Sequence, residues 1–453
     1  MEKVLDTASN LRLLGAFDNN TTKEEWSAVL PTWRAEGLPI VITIAFMALP
    51  VAWLIADYVR ILLLRRRLPP GPFPLPLFGN YFIAPKYKPW KTWAEWSKKY
   101  DNPMITVWSG HRLYILCHDA WMISDLLEKR AHLYSSRPRM YAMGDMIDAT
   151  ETNQVCLVYG DKWRLHRRLM HTAVGSQAVR NHRSFQGNES KVLTRDLLKD
   201  PDNFVLAIER YSCSVVSIIS WGRRIDQMND TVAQLLKIPK WIYSIPSKFA
   251  TAAKMSKGYF IRLSQEASDK GDNFAKRLIT SQQDHGMDDG EIGTLTSNLI
   301  GDGVDTTSGS IISFILAMCV WPEIQRKAQA EIDQVVGRER SPTWDDGPSL
   351  PYITACVTEV LRWRTVTILG GIPRAPIKDD EYRGYLIPAG TPVGGNVWAI
   401  HRNPREFPAP DSFRPERFLD GLERPYPTKK GHNAFRWGRR VSSGQPLAEQ
   451  AFS

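Results

Sequence analysis

Nineteen consecutive residues, Leu38 to Ala56, carry no charge. At about 1.5 Å of rise per residue, a helix of that length approaches the thickness of a bilayer's hydrocarbon core, so the segment is a membrane span, a buried core helix or a targeting peptide. The apolar character continues past Asp57 and Arg60 to Leu64, and Arg65, Arg66 and Arg67 follow. A long segment of mixed charge, residues 1–37, precedes the run, which disfavours a cleaved signal peptide. We therefore read 38–64 as a single-pass transmembrane anchor. The basic cluster after it puts the C-terminal body in the cytosol and residues 1–37 in the lumen. There Asn19-Asn20-Thr21 and Asn20-Thr21-Thr22 match glycosylation acceptors. Leu68 to Asn80 then holds five prolines, which forbid helix and favour an extended connector. Residues 65–80 read as a basic, proline-rich hinge and 81–453 as the main domain.

The net charge of +10 suits an acidic partner or a membrane surface. No nucleic-acid-binding motif accompanies it, so nucleic acid is not an expected partner. Five cysteines, Cys117, Cys156, Cys213, Cys319 and Cys356, lie far apart with no Cys-x-x-Cys pair. That argues against a disulfide framework and a zinc site and for small buried hydrophobes.

Periodicity predicts a helix over Trp93–Tyr100, a hairpin within Ile105–Ile115, mainly helix from Leu193 to Ala267, and a helix over Tyr352–Arg364. A second hairpin is expected between Gly384 and Pro392. Leu295 to Trp321 reads as a long buried helix with Asp302-Gly-Val-Asp-Thr-Thr307 in its middle. Those residues are poor helix formers, each costing up to about 1 kcal/mol relative to alanine, so a local distortion or break is expected there. Trp163 and Arg167 sit four residues apart on one helix face, and Glu359 and Arg362 three apart. Phe413-Arg-Pro-Glu-Arg-Phe418 supplies two further arginines, Arg414 and Arg417.

The chain's last distinctive run is Phe435-Arg-Trp-Gly-Arg-Arg-Val-Ser-Ser-Gly-Gln445. With Phe435, Gly438, Arg440 and Gly444 in register, it resembles the haem-binding loop of the cytochrome P450 superfamily, except that Ser442 stands where that family places its cysteine. The other motifs fall in the family's order. The flavour of the loop is similar to that of filamentous-fungal microsomal members active in secondary metabolism.

The resemblance implies a mainly α domain with a smaller β-rich part, tethered by one N-terminal helix in the endoplasmic reticulum membrane. The proline-rich stretch matches the hinge of microsomal members. It implies a b-type haem held by Trp163, Arg167, Arg374 and Arg440, with Trp163, Arg167 and Arg374 at its propionates, Phe435, Gly438 and Gly444 shaping the loop, and Ser442 under the iron. Asp305 and Thr306 would relay protons, Gly303 would leave room for a diatomic ligand, and Glu359, Arg362 and Arg414 or Arg417 would form a buried structural cluster. Arg436 and Asp302 take positions that are usually small, which predicts crowding at both. The implied partners are an NADPH-cytochrome P450 reductase, met by Lys429, Lys430, Arg436, Arg439 and Arg440, and a small apolar substrate. Only 139 positions separate Arg167 from Thr306 and eleven residues follow Ser442. We therefore expect an incomplete fold, with helices over the substrate pocket and the C-terminal helix and strands shortened. A serine hydroxyl is a poor substitute for a thiolate, which pushes electron density through iron. Two functions stay open: a haem monooxygenase, or a catalytically impaired pseudoenzyme with a binding or scaffold role.

Overall fold

The computed structural model describes residues 23–235, 246–419 and 425–452, with side chains outside 23–41, 44, 45 and 452. The expected glycosylation sites at Asn19 and Asn20 lie outside the described residues. The chain divides into two compact units, Met1–Arg66 and Arg67–Ser453. In the first, helix α1 runs from Lys23 to Arg65, beginning well before the uncharged run. Its Phe46–Arg65 part has a mean hydropathy of 1.8 and leaves nearly all of its apolar side chains uncovered, as a bilayer span would.

The second unit is mainly helical, with two small sheets. Helices α2 (Pro89–Lys99), α3 (Asp161–Val174), α4 (Arg183–Lys199), α5 (Phe204–Trp221) and α6 (Pro246–Glu266) precede the longest, α7 (Asp289–Val320). Then come α8 (Pro322–Val335), α9 (Pro351–Trp363) and α10 (Gln445–Phe452). Strands β1 (Met104–Ser109) and β2 (Arg112–Cys117) pair antiparallel, and β5 (Val393–Gly395) joins β2 in parallel. Strands β3 (Asp380–Tyr382) and β4 (Tyr385–Ile387) form the second hairpin. Arg383 and Gly384 both have positive φ at its tip, the geometry that matches the twist of two paired strands.

Helices α5 and α7 are also long and apolar enough to cross a membrane, yet they pack on each other inside this unit. Val215, Val216 and Ile219 of α5 meet Leu295, Leu299 and Val304 of α7 in the largest core cluster. Buried serines on α5 keep the contact close, and Ser220 Oγ donates to the Thr296 carbonyl at 3.3 Å. Gly303 belongs to this contact, because a Cβ there would come within 2.7 Å of Val216 Cγ1. Helix packing is therefore one reason for its small size.

α7 shows no break at Asp302–Thr307. The hydroxyls of Thr306, Ser308 and Ser310 bond back to carbonyls four residues earlier, which holds polar residues in helix without exposing them. Asp288 caps its start by accepting from the Glu291 N–H at 2.7 Å.

The proline-rich segment is docked on the sheet and does not stand free. Thr106 N–H donates to the Pro70 carbonyl, and the Asn80 side chain, almost fully buried, accepts from Trp108 N–H at 2.7 Å. The cysteines are free, four of them buried and Cys319 exposed. Burial pushes the thiols of Cys117, Cys213 and Cys356 up to about 12.

Candidate functional site

Loop 435–444 is built by local backbone requirements. Gly438 has φ 49°, and the Leu127 carbonyl presses where its Cβ would be, so only glycine fits. Ser442 N–H donates to the Phe435 carbonyl at 3.0 Å and closes the loop. Gly444 has ordinary space around it and no strained backbone. Arg436, in contrast, has φ 76°, a left-handed conformation that costs a residue with a Cβ about 1–2 kcal/mol.

The loop is anchored from behind. Glu359 and Arg362 on α9 are fully buried, and Arg362 Nε and Nη2 donate to the carboxylate at 2.7 and 2.6 Å. The third arginine is Arg417, whose Nε donates to Glu359 Oε1 at 3.2 Å. Arg414 joins through its backbone N–H, at 3.0 Å, and not through its side chain. The Arg362 carbonyl meets His401 Nδ1 at 3.0 Å, and His401 Nε2 accepts the Asn433 N–H at 2.9 Å. That acceptor role fixes the proton on Nδ1. His401 therefore links the charged cluster to the chain two residues before Phe435. Sequence reasoning missed it, since a lone histidine followed by Arg402 and Asn403 has no distinguishing pattern.

Between the loop and α7 lies a cavity of about 410 Å³. Trp163, Arg167, Asp305, Thr306, Phe435, Arg440, Ser442 and Gly444 all line it. Arg374 and Gly438 do not. Arg374 is buried beneath the loop and donates to the carbonyls of Leu127 and Trp437, so it holds the turn and does not face the cavity. Thr306 spends its hydroxyl on the Asp302 carbonyl at 2.7 Å.

Among the charged residues of the lining, Arg137, Arg167, Arg436 and Arg440 outnumber Asp302 and Asp305. Arg440 lies 4.3 Å over the Trp163 ring and donates to the carbonyls of Ser135, Gln154 and Leu157. Arg137, which sequence reasoning did not single out, donates to Val155, Ile372 and Pro373 carbonyls. Arg167 and Arg436 make no hydrogen bond or ion pair through their side chains to any described residue. Burial and then neighbouring arginines push Arg440 and Arg374 down to about 9, and burial depresses Arg167. Arginine stays protonated at neutral pH, so these shifts report mainly the cost of burying charge, to which neighbouring arginines add at Arg440 and Arg374. Asp302 also lines the cavity and is accessible from it. Burial raises its carboxyl, against the pull of Arg436 and then Arg137.

Of the basic residues expected to meet an acidic partner, Lys429, Lys430 and Arg439 are exposed. Arg440 is buried and Arg436 half-buried in the cavity wall, so neither is offered at the surface.

The comparisons agree with this architecture. The Cytochrome P450 family model matches residues 69–267 and 259–453. Cytochrome P450 monooxygenase 58 of Postia placenta is 33% identical over 424 residues, covering 85% of this chain and 79% of that protein. Tryptamine 4-monooxygenase of Psilocybe cyanescens is 33% identical over 426 residues, covering 85% and 83%. Cytochrome P450 monooxygenase claR of Ampulloclitocybe clavipes is 32% identical over 459 residues, covering 92% and 83%. A zebra fish cytochrome P450 solved with progesterone superimposes with a TM-score of 0.70 at 22% identity, over 81% of this chain and 90% of that one, which shows a shared fold. The sequence matches span the anchoring cluster, α7 and the loop alike, and with them the chain belongs to the cytochrome P450 family.

Proposed function

We propose that the cavity takes a haem and that the protein is of the monooxygenase class, acting on a small apolar molecule at the endoplasmic reticulum membrane. Arg167 carries this reading: a guanidinium facing a cavity, with no acceptor among the described residues, calls for an anionic group. The carboxylates of a haem fit that demand, and Trp163 and Arg440 flank it. The apolar walls from α5 and α7 suit the rest of such a group and an apolar substrate.

The fit ends at the metal. Bound with a thiolate beneath it, haem iron supplies oxygen activation. Ser442 offers a neutral hydroxyl at the position the family gives to cysteine, and no cysteine of this chain lines the cavity. We derive no oxidative step from it. That one observation favours a second reading, a member that holds haem or an apolar ligand without oxidising it. Electrons for the first reading would come from an NADPH-cytochrome P450 reductase whose acidic face meets the exposed Lys429, Lys430 and Arg439.

The reduced, CO-bound spectrum of the purified protein loaded with haem separates the two. The long-wavelength band given by thiolate ligation would support the monooxygenase; a short-wavelength band leaves the binding protein. Ser442→Cys is expected to give the long-wavelength band whichever of the two the wild type shows, because it restores a thiolate at the loop position. Failure of either protein to take up haem removes both haem readings.

A further inference from the structure

Arg436 lines the cavity between the loop and α7. Its left-handed backbone turns the side chain inward, and the guanidinium packs on Gly371 so tightly that a Cβ there would collide with Nε, Cζ and Nη2. Asp302 lines the same cavity from α7 and feels Arg436 as its strongest attracting charge, without a direct ion pair among the described residues. A cation from the loop and a carboxylate from the helix thus face each other across the space that Ser442 also lines. Neither side chain has a hydrogen-bond partner among the described residues, so the arrangement is held by long-range attraction and by the fit against Gly371, and a side chain held in that way can be displaced.

We propose that Arg436 is an internal stopper: its guanidinium occupies the haem slot, and haem binds only when the side chain swings out. The proposal rests on the reading of the cavity as a haem site. If the open state is populated a tenth of the time or less, the apparent affinity falls about tenfold or more below that of an open slot.

The test is a titration of the purified full-length chain with haemin, followed by quenching of tryptophan fluorescence and by the haem absorbance, so that no catalytic readout is needed. Arg436→Gly is expected to lower the apparent Kd by about tenfold or more and to speed binding. Arg436→Asn, short and tolerant of the left-handed backbone, should do the same, and circular dichroism checks that both fold. Arg436→Lys should stay close to the wild type. Equal, tight binding by wild type and both short variants would overturn the stopper and leave the haem reading standing. No binding by any of them would overturn both. Weaker binding by the short variants would show that Arg436 helps to hold haem, which also overturns the proposal.

Discussion

The two charged clusters on either side of the loop solve the same electrostatic problem in opposite ways. Behind the loop, one carboxylate, Glu359, faces the guanidinium groups of Arg362 and Arg417, and Arg362 also donates to the His401 and Pro410 carbonyls at 2.9 Å. In front of it, Arg137, Arg167, Arg436 and Arg440 line a cavity to which Asp302 and Asp305 are the only acids contributed among the described residues. The first cluster is complete within the chain. The second has an excess of positive charge that an added anion would balance. Stability is thus concentrated where no ligand is needed, and the ligand-facing side carries the strain.

The largest effect should come from breaking the complete cluster. Glu359→Ala would leave two buried guanidinium groups without their counter-ion, a loss of about 3–5 kcal/mol. Denaturant unfolding, or failure to accumulate as folded protein, would register it. Ser442→Ala in the same assay should change stability by no more than about 0.5 kcal/mol. Comparable losses in the two variants would break the contrast.

His401 gives a second handle, through pH. Burial and then the neighbouring His432 hold its imidazole well below the ordinary 6.5. The folded protein keeps the ring neutral while the unfolded chain takes up a proton near pH 6.5. Stability is therefore untouched well above that pH and falls as pH drops below it, by up to about 1.4 kcal/mol per unit for this residue. Melting temperature followed from pH 7.5 downwards should fall less steeply in His401→Gln, though from a lower starting value. An unchanged slope would show that His401 is not what makes the link acid-sensitive.

These two handles differ in how visible they were beforehand. Glu359 and Arg362 stand out because a carboxylate and a guanidinium three residues apart share a helix face, and alternation marked the first hairpin, whereas the second was expected between Gly384 and Pro392 and instead pairs Asp380–Tyr382 with Tyr385–Ile387 around Gly384. Which of Arg414 and Arg417 would complete the cluster was not legible, because both lie in one short turn and only its three-dimensional path decides. The same holds for Arg374, whose spacing gives no sign that it is used up on carbonyls beneath the loop. The continuity of α7 was misjudged from propensity, since the hydroxyls that look disruptive bond back along the helix. Arg137 sits in a stretch without pattern, and only the fold brings it to the cavity.

On the ligand-facing side, Arg436→Gly should stabilise the protein in the absence of any ligand. Relief of the left-handed backbone outweighs the extra freedom glycine gives the unfolded chain, for a net gain of about 0.5–1 kcal/mol. Thermal melts would detect it, and a loss of stability would mean that the packing on Gly371 is worth more than the strain it requires.

The smallest expected effect sharpens the comparison most, because it asks whether Arg436 and Asp302 act as a pair. Burial raises the Asp302 carboxyl above its unfolded 3.8. Below that pH both states are neutral and nothing is lost. As pH rises through 3.8 the unfolded chain ionises first, so the folded state is penalised, and the penalty levels off once the folded carboxyl has ionised too. Asp302→Asn should therefore match the wild type in acid and melt slightly higher at neutral pH, by less than about 1 kcal/mol because the cavity is open to solvent. With Arg436 removed, Asp302 loses its strongest attraction and the gain from Asn should grow. A double-mutant cycle that gives no coupling beyond about 0.3–0.5 kcal/mol would mean the two charges do not sense each other across the slot, and the cavity would then be a set of independent cations waiting for an anion.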